Sequence, residues 1–433
     1  GPKVALKDIH NVVSSLDDNE TNYDHLLDLA WKYKSNTNFL RFCKNKPEQS
    51  ELAKLCENIQ DLVDIKKFKI STIYKNENLT LYKRTVKQSE QLMDAHWFLS
   101  VEIQRWISTI ENLSNVPVQS LDDSKIIFYK EICKVIHAID NRLELRGRDS
   151  LGLSIVVNCN NSTNLSGDQQ LTESAYHFFK HQGHESHTFN FKTFSSIGSL
   201  GDNATEIIKQ IKSSISFNKI VSSTIINSAT IMAHTRWASV GAVNIHNAHP
   251  ISLQCKSYNH EDHQTFALLN GDIYNYKEII DKALKEHKNL IESSSCTNDA
   301  LAIPAYLLNK NAIDLSVISE MASDLSGSFV ISLQHTSEPE NIAIVKKGIQ
   351  GLYLGFSDDG VMFASDVYGL VEACRYFLPV ESNIIFNLSA LGRTNVNNLN
   401  LMLYDQTLES SKTIHNKDLQ LTTITTRDID KRG

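Results

Sequence analysis

The sequence predicts an α+β protein in which an all-helical region is followed by two stacked antiparallel sheets flanked by helices. Apolar residues recur at helical spacing between residue 10 and about residue 140. From Leu151 onwards the pattern changes to short apolar runs of strand length, separated by a few segments of helical period. Many short strands with helices beside them favour sheets that bury one face against each other and the other against helices.

The clearest helical stripe is formed by Leu92, His96, Leu99, Ile103, Trp106 and Ile110. Steps of four and three residues place these side chains on one helix face, which must be buried against a neighbour. A small antiparallel bundle is the arrangement that buries every such stripe. We interpret His96 as a core histidine rather than a metal ligand, because no second ligand follows it at i+4.

Strands are predicted for most of the remaining chain, with helices at Asp202 to Ile215, Tyr276 to Leu290 and Ala300 to Leu308. The polar stretch from Asn158 to Gly201 is predicted as a loop with one helical piece. It holds His177, His181, His184 and His187, the first two at i,i+4 spacing, which leaves a metal site open as the minor alternative to a solvated loop. The predicted strands are Leu153–Val157, Ile220–Met232, Phe266–Leu269, Gly327–Leu333, Asn341–Lys346, Leu352–Phe356, Val361–Ala364, Ile384–Leu388 and Leu401–Tyr404.

Length and composition restrict the class of protein. The chain has 433 residues, enough for two or three domains, and its 41% hydrophobic and 21% charged residues are typical of a soluble globular protein. The net charge of −7 without a long basic run argues against nucleic-acid or membrane partners. Seven widely spaced cysteines without a CxxC pair favour reduced thiols, no metal and a cytoplasmic location.

Two polar blocks, each predicted as a loop after a strand, carry the candidate chemistry. The first contains Arg236, whose planar fork of donors suits a carboxylate, and the hydroxyl of Ser239. The second contains Asn270 and Gly271, which offer a side-chain amide beside an unobstructed backbone N–H. Such a donor pair stabilises the oxyanion of an acyl-transfer intermediate. The alternative for the second block is an Asn-Gly hairpin turn without catalytic function.

Four motifs in this order resemble the class II glutamine amidotransferases, and most of all the glutamine:fructose-6-phosphate amidotransferase family. The resemblance covers roughly residues 134 to 433. The motifs are Leu145-Arg146-Gly147-Arg148-Asp149-Ser150, His234-Thr235-Arg236-Trp237-Ala238-Ser239-Val240-Gly241, Asn247-Ala248-His249-Pro250 and Leu269-Asn270-Gly271-Asp272.

The resemblance implies the four-layer α/β/β/α sandwich of the N-terminal nucleophile hydrolases. On this basis residues 1–9 are expected to begin a glutaminase domain whose first strand is missing, and residues 10–131 to be an inserted helical bundle. Residues 132–418 would then form the rest of the glutaminase domain. Residues 419–433 resemble the linker toward sugar isomerase domains.

The resemblance also implies roles for individual residues. Asn270 and Gly271 would form the oxyanion hole, and Arg236 would bind the α-carboxylate of glutamine. Further substrate contacts are expected from Ser239, His249, Thr297 and Asp299. Arg146 would steady the N-terminal strand and Trp237 would lie where ammonia passes, although both could instead be packing residues. No cofactor and no metal is implied.

Three departures from the family pattern stand out. The nucleophile of the family is an N-terminal cysteine, whereas this sequence begins Gly1-Pro2 and has no cysteine before Cys43. We expect that the natural N-terminus, with that cysteine and the first strand, is missing here. The alternatives are that Gly1-Pro2 remains from a cleaved tag and that the domain is catalytically inactive. Val240 replaces a usual histidine, and Thr297 replaces the aspartate that meets the substrate amine, with Asp299 as a possible substitute nearby.

The predicted function is the glutaminase portion of an amidotransferase that makes glucosamine 6-phosphate from fructose 6-phosphate. The expected partners are glutamine, the sugar isomerase domains of the full-length protein and further copies of the chain. One alternative is a glutaminase domain serving another acceptor, as in phosphoribosylamine or asparagine synthesis. Another is an inactive glutamine-sensing or scaffolding domain whose helical insertion binds a partner.

Overall fold

A computed structural model describes the chain in segments. These are residues 2–16, 20–75, 78–140, 142–160, 176–181, 184–194, 199–237, 242–253, 264–287, 295–308, 310, 313–389 and 401–430. The chain divides into two compact units, one formed by Gly1–Lys130 with Ile424–Gly433 and the other by Glu131–Thr423. No helix in the described segments combines the length and the apolar character that crossing a bilayer requires.

The first unit is helical. The predicted stripe is confirmed at its apolar positions, since Leu92, Leu99, Ile103, Trp106 and Ile110 are all buried, whereas His96 is only half-buried. The short C-terminal helix Thr426–Asp430 belongs to the same unit. The longer helices are α1 (Leu6–Ser14), α2 (Glu20–Tyr33), α3 (Asn36–Lys44), α4 (Lys46–Lys75), α5 (Leu79–His96), α6 (Ile103–Ser114) and α7 (Asp123–Ile139), the last of which continues into the second unit.

A π-helical segment, Trp97–Glu102, joins α5 to α6 and buries a charge. The carboxylate of Glu102 accepts hydrogen bonds from the ammonium of Lys34 and from the Thr426 hydroxyl. The Lys34 ammonium also lies 3.9 Å from the centroid of the Trp31 ring. Because a buried charge needs a partner, these contacts satisfy Glu102 inside the bundle.

The second unit contains three antiparallel sheets. The strand orders are β2-β3-β1-β4, β13-β12-β11-β7-β6-β5 and β14-β10-β8-β9. The strands are β1 (Ser150–Asn160), β2 (Tyr176–His181), β3 (His184–Phe194), β4 (Ile225–Arg236), β5 (Thr265–Ile273), β6 (Gly327–His335), β7 (Asn341–Lys347), β8 (Tyr353–Phe356), β9 (Val361–Ala364), β10 (Tyr376–Pro379), β11 (Ile384–Ser389), β12 (Leu401–Asp405), β13 (Ser410–Ile414) and β14 (Gln420–Leu421).

Helices lie on the outer faces of the first two sheets. Phe217 of α9 packs edge-on against Phe189 of β3, with ring centroids 5.2 Å apart. The second sheet buries its outer face in an apolar cluster with the other helices. These helices are α8 (Asp202–Ser213) and α9 (Ile215–Ser223) on the first sheet, and α10 (Tyr276–Glu286), α11 (Ala302–Leu307) and α12 (Leu315–Asp324) on the second.

The two sheets face each other through polar contacts. Ser154 of β1 donates to the amide oxygen of Gln334 on β6 at 2.7 Å, and the amide nitrogen of Gln334 donates to Thr230 of β4 at 2.8 Å. The order of layers is therefore helix, sheet, sheet, helix. This confirms the predicted four-layer α/β/β/α sandwich.

The prediction of a loop with a helical piece between Asn158 and Gly201 is wrong, because β2 and β3 occupy much of this stretch. Phe189 and Phe191 of β3 alternate with Asn190 and Lys192, and the two phenylalanines pack against α9. The sequence of β3 thus alternates with the period of a strand, but the polar residues of this strand face the second sheet. The predicted strand from Ile220 also begins too early, since α9 continues to Ser223.

The strand assignment contradicts the helical i,i+4 spacing on which the metal alternative for His177 and His181 rested. Four residues along a strand correspond to about 13 Å, whereas the alternative required adjacent turns of a helix. Burial lowers the pKa of His177 to about 4, so this imidazole is neutral. No group of three or more potential metal ligands occurs within the described segments.

A buried charge cluster ties the end of α7 to the segment after β9. Glu372 accepts from the imidazole of His137 at 2.8 Å and from the guanidinium of Arg142. Burial alone would raise the pKa of Glu372, but its interactions with His137 and Arg142 lower it well below its ordinary value. The carboxylate is therefore charged, and the His137 and Arg142 side chains stabilise that charge in the buried site.

Candidate active site

Arg236 lies at the end of strand β4 rather than in the predicted loop. It pairs with Ser150 of β1, and its carbonyl accepts from the Asp149 N–H at 3.0 Å. The side chain is buried, and Nη1 donates to the Ala242 carbonyl at 3.2 Å. Burial lowers the pKa of Arg236, while Cys296, Asp149 and Asp299 oppose that shift. The result is a buried guanidinium with acidic groups close by.

Asn270 and Gly271 also lie within a strand, so both the loop and the hairpin-turn interpretations are wrong. They belong to β5 and pair with Val330 and Phe329 of β6. Gly271 has φ +119°, and an added Cβ would lie 2.1 Å from the Ser328 carbonyl oxygen. Only glycine fits this backbone. The Asn270 amide has no hydrogen-bond partner among the described residues.

Strand β5 is the edge strand of its sheet. The side of β5 that faces away from β6 contacts the segment around His249. Ala267 exchanges two backbone hydrogen bonds with Ile251, at 2.8 and 2.9 Å. Two residues further on, the Leu269 N–H donates to Nδ1 of His249 at 3.3 Å. The backbone groups of Ala267 and the N–H of Leu269 therefore point away from β6.

The same free edge continues to Asp299. The Ile273 N–H donates to Oδ2 of Asp299 at 2.9 Å, and this carboxylate is buried. Burial raises the pKa of Asp299, and the bond from Ile273 partly reverses that shift. N–H groups of a strand alternate between its two sides. The Gly271 N–H, midway between Leu269 and Ile273, is therefore directed to the same edge.

His249 forms one wall beside this edge. It precedes a cis proline, and its ring centroid lies 4.2 Å from that of His234 on β4. The His249 carbonyl lies where a Cβ on residue 152 would be, at 1.4 Å, which explains Gly152. Burial, followed by the charge of neighbouring groups, lowers the pKa of His249 well below 6.5. The imidazole is therefore neutral at physiological pH.

Asn247 connects the Arg236 region to the segment before α11. Its amide nitrogen donates to the Ala242 carbonyl at 2.9 Å and to the Thr297 hydroxyl at 3.0 Å. Its amide oxygen accepts from the Thr297 N–H at 2.8 Å. The same Ala242 carbonyl accepts from Arg236. Asn247 thus holds Thr297, which precedes Asp299 by two residues.

Strand alternation turns Arg236 and Asn270 toward the space between the two sheets. Met232 of β4 and Leu268 of β5 belong to one buried cluster. Side chains two or four residues further along a strand lie on the same face. Asn270 therefore shares a face with Leu268, and Arg236 shares a face with Met232. The two predicted substrate groups thus face the same inter-sheet space.

The remaining predicted residues are less enclosed. Arg146 pairs with Asp366 while most of its side chain is exposed. Trp237 is 74% exposed, so the alternative that it is a core packing residue is wrong. Ser239 lies outside the described residues.

Several residues at this site were not predicted. Asn298 caps the turn before α11 through the Ala300 N–H at 2.9 Å, and its amide nitrogen lies 3.3 Å from Nε2 of His249. An asparagine directly before an apolar helix is the usual capping signal and could have identified it. His234 stands two residues before Arg236 on the same strand face. Lys192, whose pKa burial lowers to about 8, interacts with Cys296, and no sequence signal connects them.

Comparison with known proteins identifies a glutamine amidotransferase domain at residues 252–372. The glutamine–fructose-6-phosphate aminotransferase (isomerizing) of Acidithiobacillus ferridurans is 32% identical over 151 residues, which cover 35% of this chain and 23% of that protein. The corresponding protein of Bacteroides thetaiotaomicron is 27% identical over 234 residues, or 53% of this chain and 29% of the relative. The chain thus spans about a quarter of the length of these relatives.

Solved structures of lower similarity include the glutamine phosphoribosylpyrophosphate amidotransferase of B. subtilis complexed with ADP and GMP. It is 15% identical with a TM-score of 0.38, covering 66% of this chain and 46% of that one. A structure described as the allosteric regulatory enzyme of purine biosynthesis is 16% identical with a TM-score of 0.39, covering 67% and 47%.

The matched domain contains Asn270, Gly271, Thr297 and Asp299, and the segments before it supply Arg236 and His249. Residues 252–372 of the chain thus match a glutamine amidotransferase domain, and the chain is similar in sequence to the glutamine–fructose-6-phosphate aminotransferases.

Proposed function

We propose that this domain hydrolyses the side-chain amide of glutamine and that the full-length protein transfers the ammonia to fructose 6-phosphate, forming glucosamine 6-phosphate. The observation that carries the proposal is the free edge of β5. At this edge the Gly271 N–H has no strand partner. It lies between the Leu269 N–H, which donates to His249, and the Ile273 N–H, which donates to Asp299. A buried guanidinium and a buried carboxylate lie within electrostatic reach of each other beside it.

The charges suit the head group of an amino acid. Arg236 would bind the α-carboxylate through its planar donor fork. Asp299 would face the α-ammonium group, because Thr297, which stands where the family has an aspartate, is already bonded to Asn247. Opposite charges in a buried site bind a zwitterion better than either an amine or an acid alone.

The donors suit the reacting end of the substrate. When a thiol attacks the amide carbon, the carbonyl oxygen becomes an oxyanion that needs hydrogen-bond donors. The Gly271 N–H and the Asn270 side-chain amide would supply two. Ser239 and neutral His249 would line the pocket, and the exposed Trp237 would border the exit for ammonia. With its low pKa and with Nδ1 engaged by Leu269, His249 is not the general base.

The nucleophile in this proposal is a cysteine at the mature N-terminus of the natural protein. Its own α-amine, with an ordinary pKa of about 7.7–8.0, would accept the thiol proton and return it to the departing ammonia. Water would then hydrolyse the thioester to glutamate. Sugar isomerase domains would supply the acceptor site, as the names of the relatives suggest.

The cellular setting is part of the proposal. None of the six cysteines in the described segments forms a disulfide, which suits the reducing cytoplasm. We also propose that the full-length protein forms a homo-oligomer.

Covalent trapping tests the proposal. The natural full-length protein would be incubated with a glutamine analogue that carries an electrophile in place of the carboxamide, and the adduct would be mapped by mass spectrometry. We expect one adduct, on the N-terminal cysteine, and protection by glutamine. An adduct on Cys296, or none, would contradict the proposed nucleophile.

The acceptor needs a separate assay. Glutamine with a heavy-nitrogen side-chain amide and fructose 6-phosphate should yield heavy glucosamine 6-phosphate. Ammonium chloride as donor would serve as the control for the isomerase domains. Glutamate release with no labelled amino sugar would leave the glutaminase and refute the acceptor.

A further inference from the structure

The short C-terminal helix, Thr426–Asp430, is held in the helical unit by polar side chains. Thr426 and Arg427 are both buried. Their apolar neighbours Ile424 and Ile429 are only half-buried. Apolar burial has no preferred direction, whereas a hydrogen bond fixes both a distance and an angle. The segment is therefore held in one defined position.

Arg427 joins this helix to two carboxylates on α5. Its Nε donates to Oδ1 of Asp94 at 2.7 Å, and its Nη2 donates to the carboxylate of Glu90. Glu90 and Asp94 are four residues apart and therefore lie on the same face of α5. The Arg427 side chain is only 6% exposed, so solvent screens its pair with Asp94 little. A planar guanidinium can bind both acids at once, which the single ammonium of a lysine does less well.

Thr426 docks on the π-helical segment Trp97–Glu102. Its hydroxyl accepts from the indole N–H of Trp97 at 2.7 Å and donates to the Glu102 carboxylate. In an α-helix, two residues five apart are separated by about 140° around the axis. The wider π turn, in which hydrogen bonds join residues five apart, brings them to one side. The π-helical segment therefore forms a site where one hydroxyl meets both a donor and an acceptor.

The chain passes directly from the second unit into this attachment. The second unit ends at Thr423, and the helical unit resumes at Ile424. We propose that the helical unit is a clamp that holds the linker and so fixes where the chain leaves toward the sugar isomerase domains. We call the contact set the linker clamp, and it is formed by Glu90, Asp94, Trp97 and Glu102. This inference rests on the proposed function for the identity of the domains that follow the linker.

The linker clamp shortens the free tether to a following domain. Without it the tether would begin at Ile424 instead of after Asp430, and the seven residues 424–430 span up to about 25 Å when extended. Effective concentration between tethered domains falls with about the −3/2 power of tether length. Seven freed residues would double a tether of the same length and lower that concentration about threefold. Ammonia released by the glutaminase would then escape more often before it reaches the acceptor.

Hydrogen exchange tests the linker clamp in the chain itself. Arg427→Ala removes the cationic partner of two acids, so exchange at residues 426–430 should become about a hundredfold faster. Thr426→Val removes both hydrogen bonds of the hydroxyl and should give about a tenfold increase. Thr426→Ser keeps the hydroxyl and should exchange at the parent rate. Thr423→Val and Lys417→Ala, at exposed positions before the helix, are the matched controls and should also exchange like the parent.

Coupling in the natural full-length protein tests what the linker clamp does. With glutamine and fructose 6-phosphate, Arg427→Ala should release glutamate at the parent rate, because the clamp lies outside the glutamine amidotransferase domain. The yield of glucosamine 6-phosphate per glutamate should fall about threefold. Lys417→Ala should keep the parent yield.

Two results would overturn this inference. One is unchanged hydrogen exchange in Arg427→Ala, because the contact would then not hold the segment. The other is an unchanged yield despite faster exchange, because the linker clamp would then not serve coupling. A parent protein that releases no glutamate would refute the proposed function instead, and hydrogen exchange alone would then decide the linker clamp.

Discussion

The close approach of two strands at Gly271 gives a prediction that depends directly on the geometry of the site. In Gly271→Ala the new Cβ would lie 2.1 Å from the Ser328 carbonyl oxygen and 2.9 Å from the Cα of Phe329. Both distances are shorter than van der Waals contact, so β5 and β6 must separate or the backbone must change. The φ of +119° adds strain for any residue with a side chain.

The two effects set the expected magnitude. Strain from the unfavourable φ costs about 1–3 kcal/mol, and overpacking costs about 1–3 kcal/mol. Their sum, about 2–6 kcal/mol, corresponds to a fall in melting temperature of about 5–20 °C for a unit of this size. Thermal unfolding followed by circular dichroism would measure it, and glutamine hydrolysis should fall with it because the Gly271 N–H would move.

Gly360→Ala is the matched control. Gly360 also has a positive φ, +159°, but an added Cβ there would have nothing within 4 Å. This variant should therefore lose the strain contribution alone. If both variants melt at the same temperature, β6 does not approach Gly271 as described and the reasoning is refuted.

Three other substitutions test separate parts of the account. Asn270→Ala should reduce kcat for glutamine hydrolysis about 10²–10³-fold in a steady-state assay with little change in melting temperature, because this amide has no partner in the described chain; unchanged turnover would refute its oxyanion role. Glu372→Gln should lower the free energy of unfolding in urea by about 3–5 kcal/mol, since it leaves His137 and Arg142 without their carboxylate; a change below 1 kcal/mol would contradict the buried cluster. Burial lowers the pKa of His187 to about 4, so its contribution to stability is present above pH 6.5 and lost as the pH falls toward 4. Between pH 7 and pH 5 the free energy of unfolding of the parent protein should therefore fall by about 2 kcal/mol more than that of His187→Phe. Equal losses would show that the pKa of His187 is not lowered.

The helical unit and most strands could be predicted because their apolar residues follow one period. The stripe from Leu92 to Ile110 is an example, and its core positions are buried. The π-helical segment with Glu102 was not predicted, because a buried charge depends on partners far away in sequence such as Lys34 and Thr426. Local period carries no information about such contacts.

Strand ends at the site were predicted too early for a physical reason. Polar residues such as Arg236 and Asn270 normally indicate that a strand has ended. Here they continue β4 and β5 because their side chains face the space between the sheets, where polar contacts such as that between Ser154 and Gln334 lie beside buried apolar residues such as Met232. Strand β3 escaped prediction for the same reason, since Asn190 and Lys192 occupy its inner face.

The candidate site itself was predicted only as a set of residues. Motif order suggested Arg236, Asn270, Gly271 and His249, but it could not show that His249 and Asp299 engage the N–H groups on either side of Gly271. That arrangement depends on β5 being an edge strand, which is a property of sheet order.

The most direct test of the central claim is a crystal structure of the protein with glutamate, the expected product, bound. We predict the α-carboxylate on the Arg236 guanidinium and the ammonium group toward Asp299. A side-chain carboxylate oxygen should lie about 2.7–3.1 Å from the Gly271 nitrogen and the Asn270 amide nitrogen. Glutamate bound elsewhere, or bound with neither end on these groups, would contradict the account.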